Sequence, residues 1–172
     1  MVDLLETERL LLYPLTKSFC TEEYLRWINN DEVIRFLETE KGSELEDLNE
    51  YLESIEANKI FAWAIVIKVT DKHIGNIKID PIDYKHGYGE YGIMMGDKGS
   101  WGQGFAKEAS KKVLMYCFET LKLRKVNLGV LKDNFRAVKL YEALGFKKEG
   151  IFKEHKMHEG ILYDEIRMAL FK

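Results

Sequence analysis

The 172-residue sequence predicts an α/β (α+β) fold in which helices flank a mixed, largely antiparallel central sheet of about six to seven strands. Three observations carry that prediction. Apolar residues recur at helical spacing up to Ile55 and then alternate from Phe61 onward, so the period changes from helix to strand near Ile60. A β-rich run ending at Met95 passes through a glycine-rich turn into a long amphipathic segment. Only Pro14 and Pro81 interrupt the chain, with no Ser/Gly-rich linker, low-complexity segment or internal repeat, so residues 1–172 read as a single domain.

The elements follow in order. Arg9 to Leu15 reads as a first apolar strand, and Thr21 to Leu37 as one or two short helices broken and recapped at Asn29-Asn30-Asp31. Leu45, Leu48, Leu52 and Ile55 define an amphipathic helix opening at Ser43 or Glu44, its outer face almost wholly acidic. Phe61 to Ile67, Ile74 to Ile79 and Tyr88 to Met95 read as three consecutive antiparallel strands. The long helix, Gly104 to Leu121, puts Ala106, Ala109, Val113, Cys117 and Leu121 on one face and turns Lys107, Lys111 and Lys112 outward. Lys125 to Leu131 is a strand, and Asn134 to Leu144 a helix ended by Gly145. Glu149 to His155 and Tyr163 to Leu170 are the last strands, joined around His158-Glu159-Gly160.

Composition excludes several function classes. Hydrophobic residues at 46% against 32% charged describe an ordered globule. The net charge of −3 gives no electrostatic case for nucleic acid or a membrane surface. That average hides a split: residues 1–97 hold 10 basic and 20 acidic side chains, residues 98–172 hold 16 and 9. The split fits an anionic ligand at the basic half and a cationic one at the acidic half, or simply solvated helix faces. The acidic N-terminus MVDLLETERL and the absence of a long apolar run predict a cytoplasmic protein. Cys20 and Cys117 read as buried packing thiols. His73 and His86 stand in or beside turns, and His155 and His158 flank the last one, so the histidines read as surface residues and no metal is expected.

The glycine turn is Gly96-Asp97-Lys98-Gly99-Ser100-Trp101-Gly102-Gln103-Gly104, followed by Phe105-Ala106. Glycines let backbone approach a ligand, and the free N–H groups of a helix's first turn favour an anion such as phosphate. It is not a P-loop, which needs Lys then Ser/Thr after Gly104. A dinucleotide fingerprint fails as well, because Lys107 stands at its third glycine. Gly99-Ser100-Trp101-Gly102 has the wrong spacing for a nucleophile elbow.

Two motifs make the sequence resemble the GNAT superfamily of acetyl-coenzyme A dependent N-acetyltransferases over nearly its whole length. Trp101-Gly102-Gln103-Gly104-Phe105-Ala106 is similar to the superfamily's pyrophosphate signature, matching at Gly104 and Ala106 and departing at Trp101. Asn134-Phe135-Arg136-Ala137-Val138-Lys139-Leu140-Tyr141-Glu142-Ala143-Leu144-Gly145-Phe146 matches its second signature. Trp27 to Val33, Glu149-Gly150, and Gly160 followed by Asp164 resemble the branch of ribosomal-protein N-terminal and sugar-amine acetyltransferases. The resemblance implies a GNAT-like sheet splayed at the cofactor site. It implies that acetyl-CoA, as co-substrate, is held at Met95, Trp101, Gly102, Gln103, Gly104, Phe105, Ala106, Asn134, Arg136 and Ala137. Lys107, Lys111, Lys132, Arg136 or Lys139 would screen its phosphates. Trp27, Asn29, Asn30 and Glu90 would meet the acceptor amine.

Acetyl transfer needs a neutral amine, whereas an alkylamine of pKa about 10.4 is mostly protonated at pH 7. Glu90 is the candidate base, directly or through water, or else a strand acid with a structural partner. A strand N–H near Met95 is the candidate oxyanion donor. Tyr141, where the superfamily places its general acid, would protonate the departing thiolate; helical spacing equally allows a core tyrosine. The favoured acceptor is a sugar-nucleotide amine, with a protein N-terminus, a polyamine or an aminoglycoside as alternatives. A non-catalytic coenzyme A binding module is the competing class, and a homodimer stays open.

Overall fold

The computed structural model describes residues 2–172 except Glu38, Glu40 and Glu159, so of the turn expected around His158-Glu159-Gly160 the middle residue lies outside the described residues, while Gly160 takes φ +76°. Among the described residues eight strands form one sheet in the order β1-β2-β3-β4-β5-β6-β8-β7. They are β1 (Leu5–Glu6), β2 (Leu10–Pro14), β3 (Phe61–Ile67), β4 (Lys72–Asp83), β5 (Tyr88–Met95), β6 (Lys125–Leu131), β7 (Lys147–His158) and β8 (Ile161–Phe171). The described helices are α1 (Glu22–Ile28), α2 (Asp31–Ile34), α3 (Leu45–Ala57), α4 (Phe105–Glu119) and α5 (Phe135–Ala143), with short 3-10 turns at Lys17–Phe19 and Lys98–Ser100. The expected count fell one short because β1 is only two residues long, too short for any period to register. Pairing is antiparallel for β1/β2, β2/β3, β3/β4, β6/β8 and β7/β8. The parallel pair β5/β6 makes the sheet mixed, matching Tyr88–Glu90 to Lys125–Asn127.

The chain divides into two compact units, Met1–Asp80 with Gly92–Val113, and Pro81–Tyr91 with Leu114–Lys172. In the first, the helices start where their caps dictate. The Thr21 side chain accepts from Tyr24 N at 3.2 Å, that of Asn30 from Glu32 N at 3.1 Å, and Glu44 and Asp47 form a capping box on α3. The apolar stripe of α3, Leu48, Leu52 and Ile55, packs with Tyr24, Trp27, Leu15, Ala62 and Ala64 in one core cluster. Strand β3 departs from the expected alternation: Ala62 to Val66 are all buried, as befits a strand covered on both faces. The small Ala62 and Ala64 side chains join the helical cluster, while Trp63 anchors its Nε1 on Asp3 O at 2.8 Å.

Two expectations about single residues need correcting. His73 is no surface residue: its ring lies 4.7 Å from Trp27, 4.9 Å from Phe19 and 5.8 Å from Tyr24, with Nε2 at 3.0 Å from both Gly75 O and Asn76 Oδ1. Burial lowers its pKa against the two hydrogen bonds that favour the charged form. Cys20 is half-buried, whereas Cys117 is buried as expected.

In the second unit, β6 runs antiparallel to β8 over its full length, from Lys125↔Phe171 to Leu131↔Glu165. Helix α5 is capped by Asn134, whose side chain accepts from Ala137 N at 3.2 Å, and ends before Gly145 at φ +97°. Its Tyr141 packs with Tyr91 and Phe146 at ring separations of 5.8 and 5.9 Å.

Candidate active site

The glycine turn is built by its own backbone. Gly96 N and Asp97 N both donate to Ile74 O, at 3.0 and 3.1 Å, and any side chain at Gly96 would run into the Trp27 ring. Trp101, where the superfamily signature is departed from, has a structural use: its Nε1 donates to Met95 O at 2.9 Å and closes the turn. Gln103 Nε2 donates to Gly99 O at 2.7 Å, and Asp97 accepts from Ser100 Oγ and pairs with Lys72 at 2.9 Å. Gly102 and Gly104 sit at φ +76° and +82°, conformations that glycine adopts without strain. A Cβ at Gly102 would meet nothing within 4 Å and one at Gly104 only Arg9 Nη2 at 3.5 Å, so conformation rather than crowding selects both glycines.

Helix α4 begins directly after. The first bond of its ladder runs from Glu108 N to Gly104 O at 3.1 Å, so the amides of Gly104, Phe105, Ala106 and Lys107 precede it. The helix dipole adds a partial positive charge there. Beside these amides a depression of about 280 Å³ is lined by Glu8, Gly104, Lys107, Glu108 and Lys111, which puts two of the expected phosphate-screening lysines next to the turn. Backbone donors flanked by lysines suit a polyanion such as a pyrophosphate.

A clamp that sequence reasoning missed fixes this turn. Arg9 Nε and Nη2 reach Glu108 at 2.7 and 2.6 Å, Arg9 Nη1 donates to Gln103 O at 3.1 Å, and the guanidinium lies 4.4 Å from the Phe105 ring centre. Thr7 Oγ1 and Arg9 N also donate to Glu108 Oε1, at 2.6 and 2.9 Å. Burial would raise the Glu108 pKa, but these donors outweigh it and hold the carboxyl below its ordinary value. Nothing local in the sequence signals this pairing across about a hundred positions.

The acceptor-side candidates divide. Trp27 is buried in the core at 6% exposure. Asn29 uses its whole amide on the chain, donating to Leu25 O and Ser43 O at 3.1 and 2.9 Å and accepting from Gly42 N at 2.8 Å. Asn30 caps α2. Glu90 does have a partner, the guanidinium of Arg167, whose Nη2 lies 2.7 and 2.8 Å from its two oxygens.

Tyr141 is buried at 7% exposure, its hydroxyl has no hydrogen-bond partner among the described residues, and burial pushes its pKa up to about 12. It is therefore a neutral phenol at physiological pH, with a proton to give. Successive residues of a strand point to opposite faces, so Glu90 points away from the face on which Tyr91 meets Tyr141. The two catalytic candidates thus stand on opposite faces of β5. Asn134 and Ala137 are joined through the α5 cap, and Arg136 is exposed.

Comparison with known proteins now places the chain. The acetyltransferase (GNAT) domain family matches residues 9–147, and the protein belongs to that family. Within it, the chain is 28% identical over 178 residues to the uncharacterized N-acetyltransferase p20 of Bacillus licheniformis, covering 99% of this chain and 97% of that one. It is 34% identical over 99 residues, 58% of this chain and 57% of the relative, to the spermidine N(1)-acetyltransferase of Vibrio cholerae. The crystal structure of a spermidine N-acetyltransferase from Vibrio cholerae with CoA and spermine superposes with a TM-score of 0.87 at 27% identity over 96% of each chain. A structure described as that of a putative ribosomal-protein-serine acetyltransferase from Vibrio cholerae, at 18% identity and a TM-score of 0.80 over the whole of both chains, shares the fold. The family uses acetyl-CoA, and the protein is an acyltransferase. Among the described residues no group of side chains is arranged to hold a metal, and no helix is long and apolar enough to cross a membrane.

Proposed function

We propose that the protein transfers the acetyl group of acetyl-CoA to a primary amine of a small polycationic molecule of the polyamine class. The observation that carries the cofactor half is the run of amides at Gly104–Lys107, opened by two positive-φ glycines and flanked by Lys107 and Lys111. These amides are assigned to the coenzyme's pyrophosphate. The acceptor half is supported by the relatives that act on spermidine and by the exposed acids Glu46, Asp47 and Glu50 of α3. The sugar-nucleotide amine expected from the sequence has no comparable support among the relatives named above.

The chemistry assigned to this chain is direct attack. The acceptor ammonium gives one proton to Glu90, and the neutral nitrogen bonds to the acetyl carbonyl carbon. The C–S bond then breaks, the thiolate takes its proton from the Tyr141 hydroxyl, and the second nitrogen proton passes to solvent, from which the Tyr141 phenol is restored. A strand N–H near Met95 stabilises the oxyanion. Nitrogen and sulfur are bonded to one carbon in the intermediate, so Glu90, across β5 from Tyr141, takes its proton by way of water. The test is thiol release from acetyl-CoA with spermidine, a sugar-nucleotide amine, an aminoglycoside and a peptide N-terminus. Turnover greatest with spermidine is the expected result. Preferred turnover of the sugar amine or peptide would replace the acceptor, and coenzyme A binding without turnover of any amine would make the protein a binding module.

A further inference from the structure

We propose that Arg167, bridging Glu90 to Glu165 above Gly129, is a positioning residue that fixes the Glu90 carboxylate for the acceptor; this rests on the reading of Glu90 as the acceptor-side carboxylate. The register puts the parts together. Glu90 pairs with Asn127 on β6, and Gly129 and Leu131 of β6 pair with Arg167 and Glu165 of β8. Register partners share a face and alternate residues repeat it, so Glu90, Asn127, Gly129, Arg167 and Glu165 all stand on one face of the sheet.

On that face the charges alternate. Lys156 Nζ lies 3.9 Å from Glu165 Oε2, Arg167 Nη1 donates to Glu165 Oε1 at 3.1 Å, and Arg167 Nη2 meets both Glu90 oxygens at 2.7 and 2.8 Å. Glu165 is 6% exposed, so one end of the guanidinium is held by a carboxylate with little freedom of its own. The other end therefore meets Glu90 at a set place. A single Nη2 against two carboxylate oxygens leaves lone pairs on each oxygen for a substrate N–H or a water.

Gly129 makes room for this bridge. A Cβ there would stand 2.6 Å from Glu165 Oε1 and 2.7 Å from Arg167 Nη1. Gly129→Ala thus displaces the bridge while every charge is retained. A misplaced reacting group costs about a hundredfold for an error near ~1 Å, so small shifts suffice to register in turnover.

The experiment has two arms. The first needs no acceptor: carboxyl-carbon NMR of the unliganded protein should show the Glu90 resonance shifted in Arg167→Gln and in Gly129→Ala, and partly restored in Arg167→Lys. An unchanged Glu90 resonance in folded variants overturns the proposal. The second measures kcat and KM for spermidine in a cycle of Glu90→Gln, Arg167→Gln and the double variant. Each single change should lower kcat by about tenfold to a hundredfold, and Arg167→Gln should cost nothing further once Glu90 is gone. Full additivity would show that Arg167 does not act through Glu90 and overturns the positioning role. Wild-type turnover by Glu90→Gln would instead overturn the reading of Glu90, whatever the NMR shows.

Discussion

The glycine turn, proposed to hold the coenzyme's pyrophosphate, and the Glu90 face, which holds a carboxylate, are built by different means. At the turn the donors are backbone amides set by glycines and a helix start within a dozen positions of one another, and only the Arg9–Glu108 clamp that braces them comes from about a hundred positions away. Around Glu90 the parts are side chains, and Arg167 is 77 positions from the carboxylate that it holds. A site built from backbone is encoded locally, in glycines at positive φ and a helix start. One built from side chains is encoded in strand register.

That difference explains what was legible. Gly102, Gly104 and the start of α4 could be read from the sequence because local conformation selects them. The caps at Asn30, Glu44 and Asn134 were readable for the same reason. The Arg9–Glu108 clamp, the Glu90–Arg167–Glu165 bridge and the aromatic nest around His73 were not, since each joins distant segments whose register no local pattern states. Trp101 was read as a departure from a motif, and only the turn's geometry shows its indole closing onto Met95 O.

The largest effect expected comes from Tyr141→Phe, across β5 from the Glu90 face. It removes the assigned proton donor but keeps the ring against Tyr91 and Phe146, and should lower kcat by about a hundredfold or more with acetyl-CoA affinity retained. Equal turnover under conditions where chemistry limits the rate would leave Tyr141 a packing residue. At the backbone site, Gly102→Ala combined with Gly104→Ala forces two side chains into positive φ, at roughly 1 kcal/mol or more each. Calorimetry should show acetyl-CoA affinity reduced about tenfold or more, and unchanged affinity would remove the turn from the binding site.

A smaller effect concerns the clamp. The Glu108 carboxyl is held below its ordinary value in the folded state, so its contribution is present above the unfolded pKa and lost as pH falls through the lower folded one. Urea unfolding from pH 7 down to about 3 should therefore show a steeper loss of stability in the wild type than in Glu108→Gln. Parallel curves would mean that the carboxyl is not preferentially charged in the fold.

The smallest effect concerns capture. Glu53 is already paired with Lys17, so Glu46→Lys with Glu50→Lys is the cleaner reversal on α3. It should raise KM for spermidine a few-fold at low salt and less at about 0.15 M, with kcat nearly constant. A KM indifferent to charge and salt would take α3 out of acceptor capture.

The backbone site is the central claim, and amide NMR of the wild-type protein titrated with coenzyme A tests it most directly. The largest downfield shifts are expected on the N–H groups of Gly104, Phe105, Ala106 and Lys107 as the pyrophosphate accepts from them. Saturation with these four resonances unmoved would contradict it.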